Sequence, residues 1–194
     1  MTAPQLALPS GERRSDPSIT IYGVLALAVS LLVVIGTLAG AYLAMRTGTS
    51  PWPPKGVTTQ EYYDNTLLVT AFIGVVAGWW GLFGIVRGER RQAVVGLALA
   101  VFMDVAFINL LTYVVRQSHL SPRQDAYAVV WYALVIAVGA AYATGIGVTG
   151  VVLARTAGGQ VTPSDPTLGW CAAWYGTFVA VMWLVMYYLV HVVQ

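Results

Sequence analysis

Charge is what this chain has least of. Only 9% of its 194 residues are Asp, Glu, Lys or Arg, against about a quarter in an ordinary soluble domain. Hydrophobic residues make up 58%, and the mean hydropathy is +0.71. Water cannot solvate so apolar a surface, which excludes a free-standing soluble domain. The net charge of +2 is too small to suggest a nucleic-acid partner. Cysteine is reduced to Cys171, inside an apolar run. One cysteine permits no internal disulfide and supplies no zinc spacing, so it reads as a small packing residue. His119 falls in a loop and His191 in the last apolar turn. Neither has a second histidine at ligand spacing, so no haem, copper or zinc site is expected in this chain. A phosphate-binding glycine loop, a serine triad and a CxxC pair are also missing. Without convergent titratable or metal-binding groups, no independent enzyme is expected.

The chain is rich in long apolar runs. Five are long enough for the roughly 20 residues that cross a hydrocarbon core: Ile19–Met45, Thr66–Val86, Gln92–Val115, Ala126–Ala154 and Leu168–Val193. They are continuous rather than alternating, which excludes a β-barrel. The expected fold is an all-α integral membrane protein, a single five-helix domain over residues 19–194 behind a flexible polar tail, residues 1–18. The first run is too long, and too polar in front, for a cleaved signal peptide. Prolines and most charges fall between the runs, including the short turn Arg87-Gly88-Glu89-Arg90-Arg91. Arg13, Arg14, Arg87, Arg90, Arg91 and Arg155 share one side; Arg46, Lys55, Arg116 and Arg123 share the other. The bias places the N-terminus in the cytoplasm of a plasma-membrane protein and the C-terminus outside.

Within the runs, Gly36 and Gly40, and Gly74 and Gly78, repeat at a spacing that lets helix backbones approach in lipid. Trp79, Trp80, Trp131, Trp170 and Trp174 read as interfacial anchors. Asp104 reads as the only acid within a span. Exposed to lipid it would be costly, so it must face protein or water, or carry a proton. It is either a proton-handling or docking carboxyl, or a neutral acid stitching helices together. Asn109 and Thr112 share a helix face and are expected to hydrogen-bond across helices.

Several strings resemble subunit III of the haem-copper cytochrome c oxidases, in its short five-helix form. The last run reads Ala172-Ala173-Trp174-Tyr175-Gly176-Thr177-Phe178-Val179-Ala180-Val181-Met182-Trp183-Leu184; the family pattern is AAWYWHFVDVVWL. Trp52-Pro53-Pro54-Lys55-Gly56 matches the family's WPPxG, and Asn65-Thr66-Leu67-Leu68 its NTxLL. Gly88-Glu89-Arg90-Arg91 resembles the G-D/E-R-K turn, and Leu38 to Arg46 resembles LFAAYFALR. These matches run in order along nearly the whole chain.

The departures fall on the family's ionisable positions. Ser30-Leu31 stands where the family has Ser-Glu. Asn109, Thr112 and Tyr113 replace QxxEY, and Val138-Gly139-Ala140-Ala141-Tyr142 takes the register of HGxHV. Gly176, Thr177 and Ala180 replace Trp, His and Asp. Nitric oxide reductase-associated subunit III-like proteins fall within the same resemblance.

The resemblance implies a non-catalytic accessory subunit of a respiratory haem-copper oxidase. Such a subunit stabilises subunit I, binds phospholipid, and supports electron transport and proton uptake. Haem and copper are then expected in the partner, subunit I or a nitric oxide reductase catalytic subunit, and none in this chain. Trp52, Trp174, Phe178 and Trp183, at matching family positions, become expected subunit or lipid contacts. Two other readings stay open on the sequence: an orphan membrane scaffold or assembly factor, and a small transporter or proton-conducting protein using Asp104.

Overall fold

The computed structural model describes residues 17–48, 52, 61–118, 120 and 126–191. These form five helices: α1 Pro17–Gly48, α2 Glu61–Arg87, α3 Arg90–Gln117, α4 Ala126–Ala157 and α5 Thr167–His191. Each is long and apolar enough to cross a membrane, and the chain is a multi-pass membrane protein. The expected N-terminal tail lies outside the described residues except for Pro17 and Ser18, which already belong to α1. Proline suits that first helical position, where its missing N–H would have no partner. At 32 residues each, α1 and α4 are about 48 Å long, beyond the ~30 Å hydrocarbon core, and must tilt or protrude.

Helix α2 begins five residues earlier than its apolar run. That brings Asp64 into its first turn, where the helix dipole favours an acid. The residue is buried, at 8% exposure. Asp104 is therefore not the only acid within a helix: α2 also carries Glu61 and Asp64, both in front of its apolar run.

The tightest pair is α2 with α3, which pack antiparallel through small residues. A Cβ built on Gly84 would lie 2.5 Å from the Ala93 nitrogen, and one on Gly96 would lie 2.5 Å from the Gly81 Cα. Farther along the same seam Gly78 faces Ala100, and Gly74 faces Met103 and Asp104. In a bilayer no hydrophobic force joins two helices, so contact this close supplies dispersion instead.

Helices α3 and α4 continue the bundle. Phe107 stacks on Tyr142 with ring centroids 3.7 Å apart, and Trp183 of α5 meets Phe107 edge-on at 5.3 Å. Helix α5 closes the group against α2 and α4. Helix α1 lies outside it, against α4 and α5, and Ile35 and Tyr42 are its buried apolar side chains.

The ends of α2 and α4 are built alike. After α2, the Glu89 N–H donates to the Gly84 carbonyl at 2.8 Å and the Gly88 N–H to Ile85 at 3.1 Å. After α4, Gln160 donates to Arg155 at 2.8 Å and Gly159 to Thr156 at 3.0 Å. Both patterns are Schellman closures, and both place a glycine at φ +75°, Gly88 and Gly159. The two turns dock together. The Arg90 guanidinium donates to the carbonyl of Ala157, the last residue of α4, and Gly88 packs against the Pro163 ring.

Candidate functional site in the membrane interior

Asp104 sits midway along α3, half-buried, where the faces of α2, α4 and α5 converge. Its placement follows from the two seams around it. On the α2 side, a Cβ on Gly74 would lie 3.6 Å from Oδ1; on the α4 side, a Cβ on Gly145 would lie 3.9 Å from Oδ2. The carboxyl thus stands between two glycines whose missing side chains leave it room.

Two phenols stand nearby: Tyr175 of α5 meets the same Gly145 position as the carboxyl, and Tyr142 lies one turn from Gly145 on α4. Tyr142 is 3% exposed, and its hydroxyl, like the indole nitrogens of Trp52 and Trp183, has no hydrogen-bond partner among the described residues. Tyr175 is fully enclosed and partnered. It donates to the Ala141 carbonyl at 3.2 Å and meets the Thr144 hydroxyl at 2.5 Å. Tyr142 and Gly145 are one turn apart on α4, as Asp104 and Phe107 are on α3. The stacked Phe107–Tyr142 pair and the Asp104–Gly145 approach are therefore successive rungs of one antiparallel contact.

The other singled-out residues distribute differently. Gly74 and Gly78 lie in the α2–α3 seam, whereas Gly36 and Gly40 of α1 have open space where a Cβ would stand. Among the described residues, neither Asn109 nor Thr112 hydrogen-bonds to another helix. Both are exposed, and the Thr112 hydroxyl donates to the Ile108 carbonyl of its own helix at 2.8 Å. A threonine in an apolar helix has that carbonyl always within reach. Trp79 is an internal strut as well as an aromatic near a helix end. Its indole donates to Thr177 of α5 at 2.9 Å, and its ring meets Trp170 and Trp174 edge-on at 5.7 and 5.5 Å. Thr177 occupies the position where the resembled pattern carries histidine.

Of the expected contact residues, Trp183 is 7% exposed and belongs to the core, which corrects its reading as a surface for partners. Trp52 packs between Tyr42 and Tyr127, 5.2 Å from each. Trp174 is 60% exposed. With Phe178 it lines a cleft of about 550 Å³ between α5 and the N-terminal half of α1, walled by Val24, Leu25 and Ala28 on the other side. Neither this cleft nor the Tyr175–Thr144 bond was legible as a motif, since both depend on how α1 and α4 lie on α5.

Among the described residues, no three His, Cys, Asp or Glu side chains come together as metal ligands.

No family model matches the chain. Curated relatives do. Cytochrome c oxidase subunit 3 of Danio rerio is 30% identical over 139 residues, covering 70% of this chain and 53% of the relative. The Cyprinus carpio protein of the same name gives the same figures, and that of Gallus gallus is 28% identical over 144 residues. The chain spans about half the length of the curated relatives it matches. A five-helix bundle with this aligned similarity is a divergent member of the cytochrome c oxidase subunit III family.

Proposed function

We propose that the chain is a non-catalytic accessory subunit of a respiratory haem-copper oxidase complex. The observation that carries this reading is the similarity over 70% of the chain to proteins named cytochrome c oxidase subunit 3. In this role it binds the catalytic subunit within the membrane, holds it stable through turnover, and supports electron transport and proton uptake by the assembly. Haem and copper reside in that partner, subunit I or its nitric oxide reductase counterpart. The apolar cleft between α1 and α5 suits a lipid acyl chain. Its walls are side chains from Val24, Ala28, Trp174 and Phe178, with little polar surface. The chain lies in the plasma membrane with its N-terminus cytoplasmic.

The test is purification of the tagged chain from its native membrane in mild detergent. Co-elution of a haem-bearing catalytic subunit, with phospholipid retained at fixed stoichiometry, is the expected result. A preparation free of haem absorbance and of any haem-copper subunit defeats the reading.

A further inference from the structure

Arginines from three helices gather at one end of the bundle. Arg87 closes α2, Arg90 and Arg91 open α3, and Arg155 lies in the last turn of α4. All four are exposed. Arg90 is committed to the Ala157 carbonyl, which holds the α2–α3 turn against the end of α4 and joins the charges of both into one surface. Among the described residues, no side-chain hydrogen bond or ion pair reaches Arg87, Arg91 or Arg155. The acids of the two turns do not neutralise them. Asp165 accepts instead from the Thr167 N–H at 3.4 Å. Glu89 is exposed and does not cap α3 with its side chain. The N–H groups of Arg91 and Gln92 therefore find no acceptor among the described residues.

Helix length sets the height of this surface. At 27 and 28 residues, α2 and α3 are about 40 Å long, close to the thickness of a bilayer with its headgroups. Only Gly88 and Glu89 lie between them, so no loop carries the guanidiniums past headgroup level. Just beneath, α2 exposes Trp80, Phe83 and Val86, an apolar flank for acyl chains.

We propose that the clamped turns form a binding surface for the phosphate of an anionic phospholipid, engaged by Arg87, Arg91 and Arg155 together with the uncapped N–H groups at the start of α3. A guanidinium meets phosphate oxygens through paired N–H bonds, and basic residues at this height are attracted to a negative membrane surface. A zwitterionic headgroup carries its own ammonium, which offsets the attraction, so the surface selects lipids of net negative charge. The surface shares no residue with the cleft between α1 and α5, and it stands whether or not the chain joins an oxidase.

Native mass spectrometry tests this on the full chain, purified in mild detergent and offered equal amounts of dioleoyl phosphatidylglycerol and dioleoyl phosphatidylcholine. The chain should retain the anionic lipid over the zwitterionic one. Arg87→Gln, Arg91→Gln and Arg155→Gln should each weaken phosphatidylglycerol binding about fivefold, and all three leave Arg90 and its clamp in place. Arg116→Gln, at the other end of α3, should leave binding unchanged. Glu89→Gln removes the acid from the turn without removing a cap, and should strengthen binding. Inorganic phosphate at the same concentration should not displace the lipid; displacement would mark a free-anion site and overturn the lipid assignment. Helical circular dichroism of each variant separates lost binding from a lost fold. Equal retention of the two lipids overturns the proposal and leaves the arginines to an acidic protein segment. So does a preference that survives the triple substitution in a folded chain, or an equally large loss in Arg116→Gln.

Discussion

At the scale of single residues, the glycines divide by what a methyl would meet. On Gly96 a Cβ would sit 2.5 Å from the Gly81 Cα and 3.0 Å from the Ala77 carbonyl oxygen, both backbone atoms that cannot step aside. On Gly36 it would meet nothing within 4 Å. Gly96→Ala should therefore force α2 and α3 apart and destabilise the bundle by about 1–3 kcal/mol, seen as a lower unfolding temperature in mild detergent. Gly36→Ala should be neutral or stabilising by up to about 1 kcal/mol. Equal unfolding temperatures for the two variants would remove the seam's claim to hold the hairpin together. Sequence spacing pointed to Gly74 and Gly78, at the looser end of the seam, and passed over Gly81, Gly84 and Gly96, at its tightest. The reason is physical: a four-residue repeat marks one face of one helix, while closeness depends on the small residues opposite, Ala93 and Gly96. The same limit explains Trp183 and Asn109. An aromatic or amide in an apolar run carries no mark of whether its helix turns it toward Phe107 or toward lipid.

At the scale of elements, the helices were legible because continuous apolar runs have only one way to satisfy their backbone in lipid. Their ends were less so. Hydropathy stops where polar residues begin, but a helix continues as long as its hydrogen bonds do, which is how α2 came to include Asp64 and α4 to extend to Ala157. The charged turn after α2 was visible in sequence as punctuation and a topology signal; its second use was not. Arg90 reaches the end of α4, and Gly88 meets Pro163, so the α2–α3 turn is clamped to the α4–α5 turn. Gly88→Ala must hold a side chain at φ +75°, costing about 1–2 kcal/mol before the Pro163 contact is counted. Arg90→Ala should have a smaller effect, because its partner carbonyl lies at an exposed end. Limited proteolysis of membranes checks both. Cleavage within 158–166 should quicken in each variant, more in Gly88→Ala. Unchanged cleavage in both would mean that the two turns hold their shapes separately.

At the scale of the whole molecule, the clamp bears on orientation. It brings Arg87, Arg90 and Arg91 to the same end of the bundle as Arg155. Positive charge close to the ends of spanning helices resists translocation, and here it comes from two short, mutually packed turns that would have to cross as a unit. The end bearing Gly88 and Gly159 should therefore face the cytoplasm, and the end bearing Ser118 should face outward. Cysteine labelling reads this directly, since Cys171 is the chain's only native thiol and is buried. In a Cys171→Ala background, Gln160→Cys should react with a membrane-impermeant maleimide only after the cells are opened. Ser118→Cys should react in intact cells. The reverse pattern would place the arginine-bearing turns outside. The positive-inside argument would then fail for this bundle, and the proposed cytoplasmic N-terminus with it, because the two crossings of α1 and α2 put the start of α1 on the same side as the Gly88 turn.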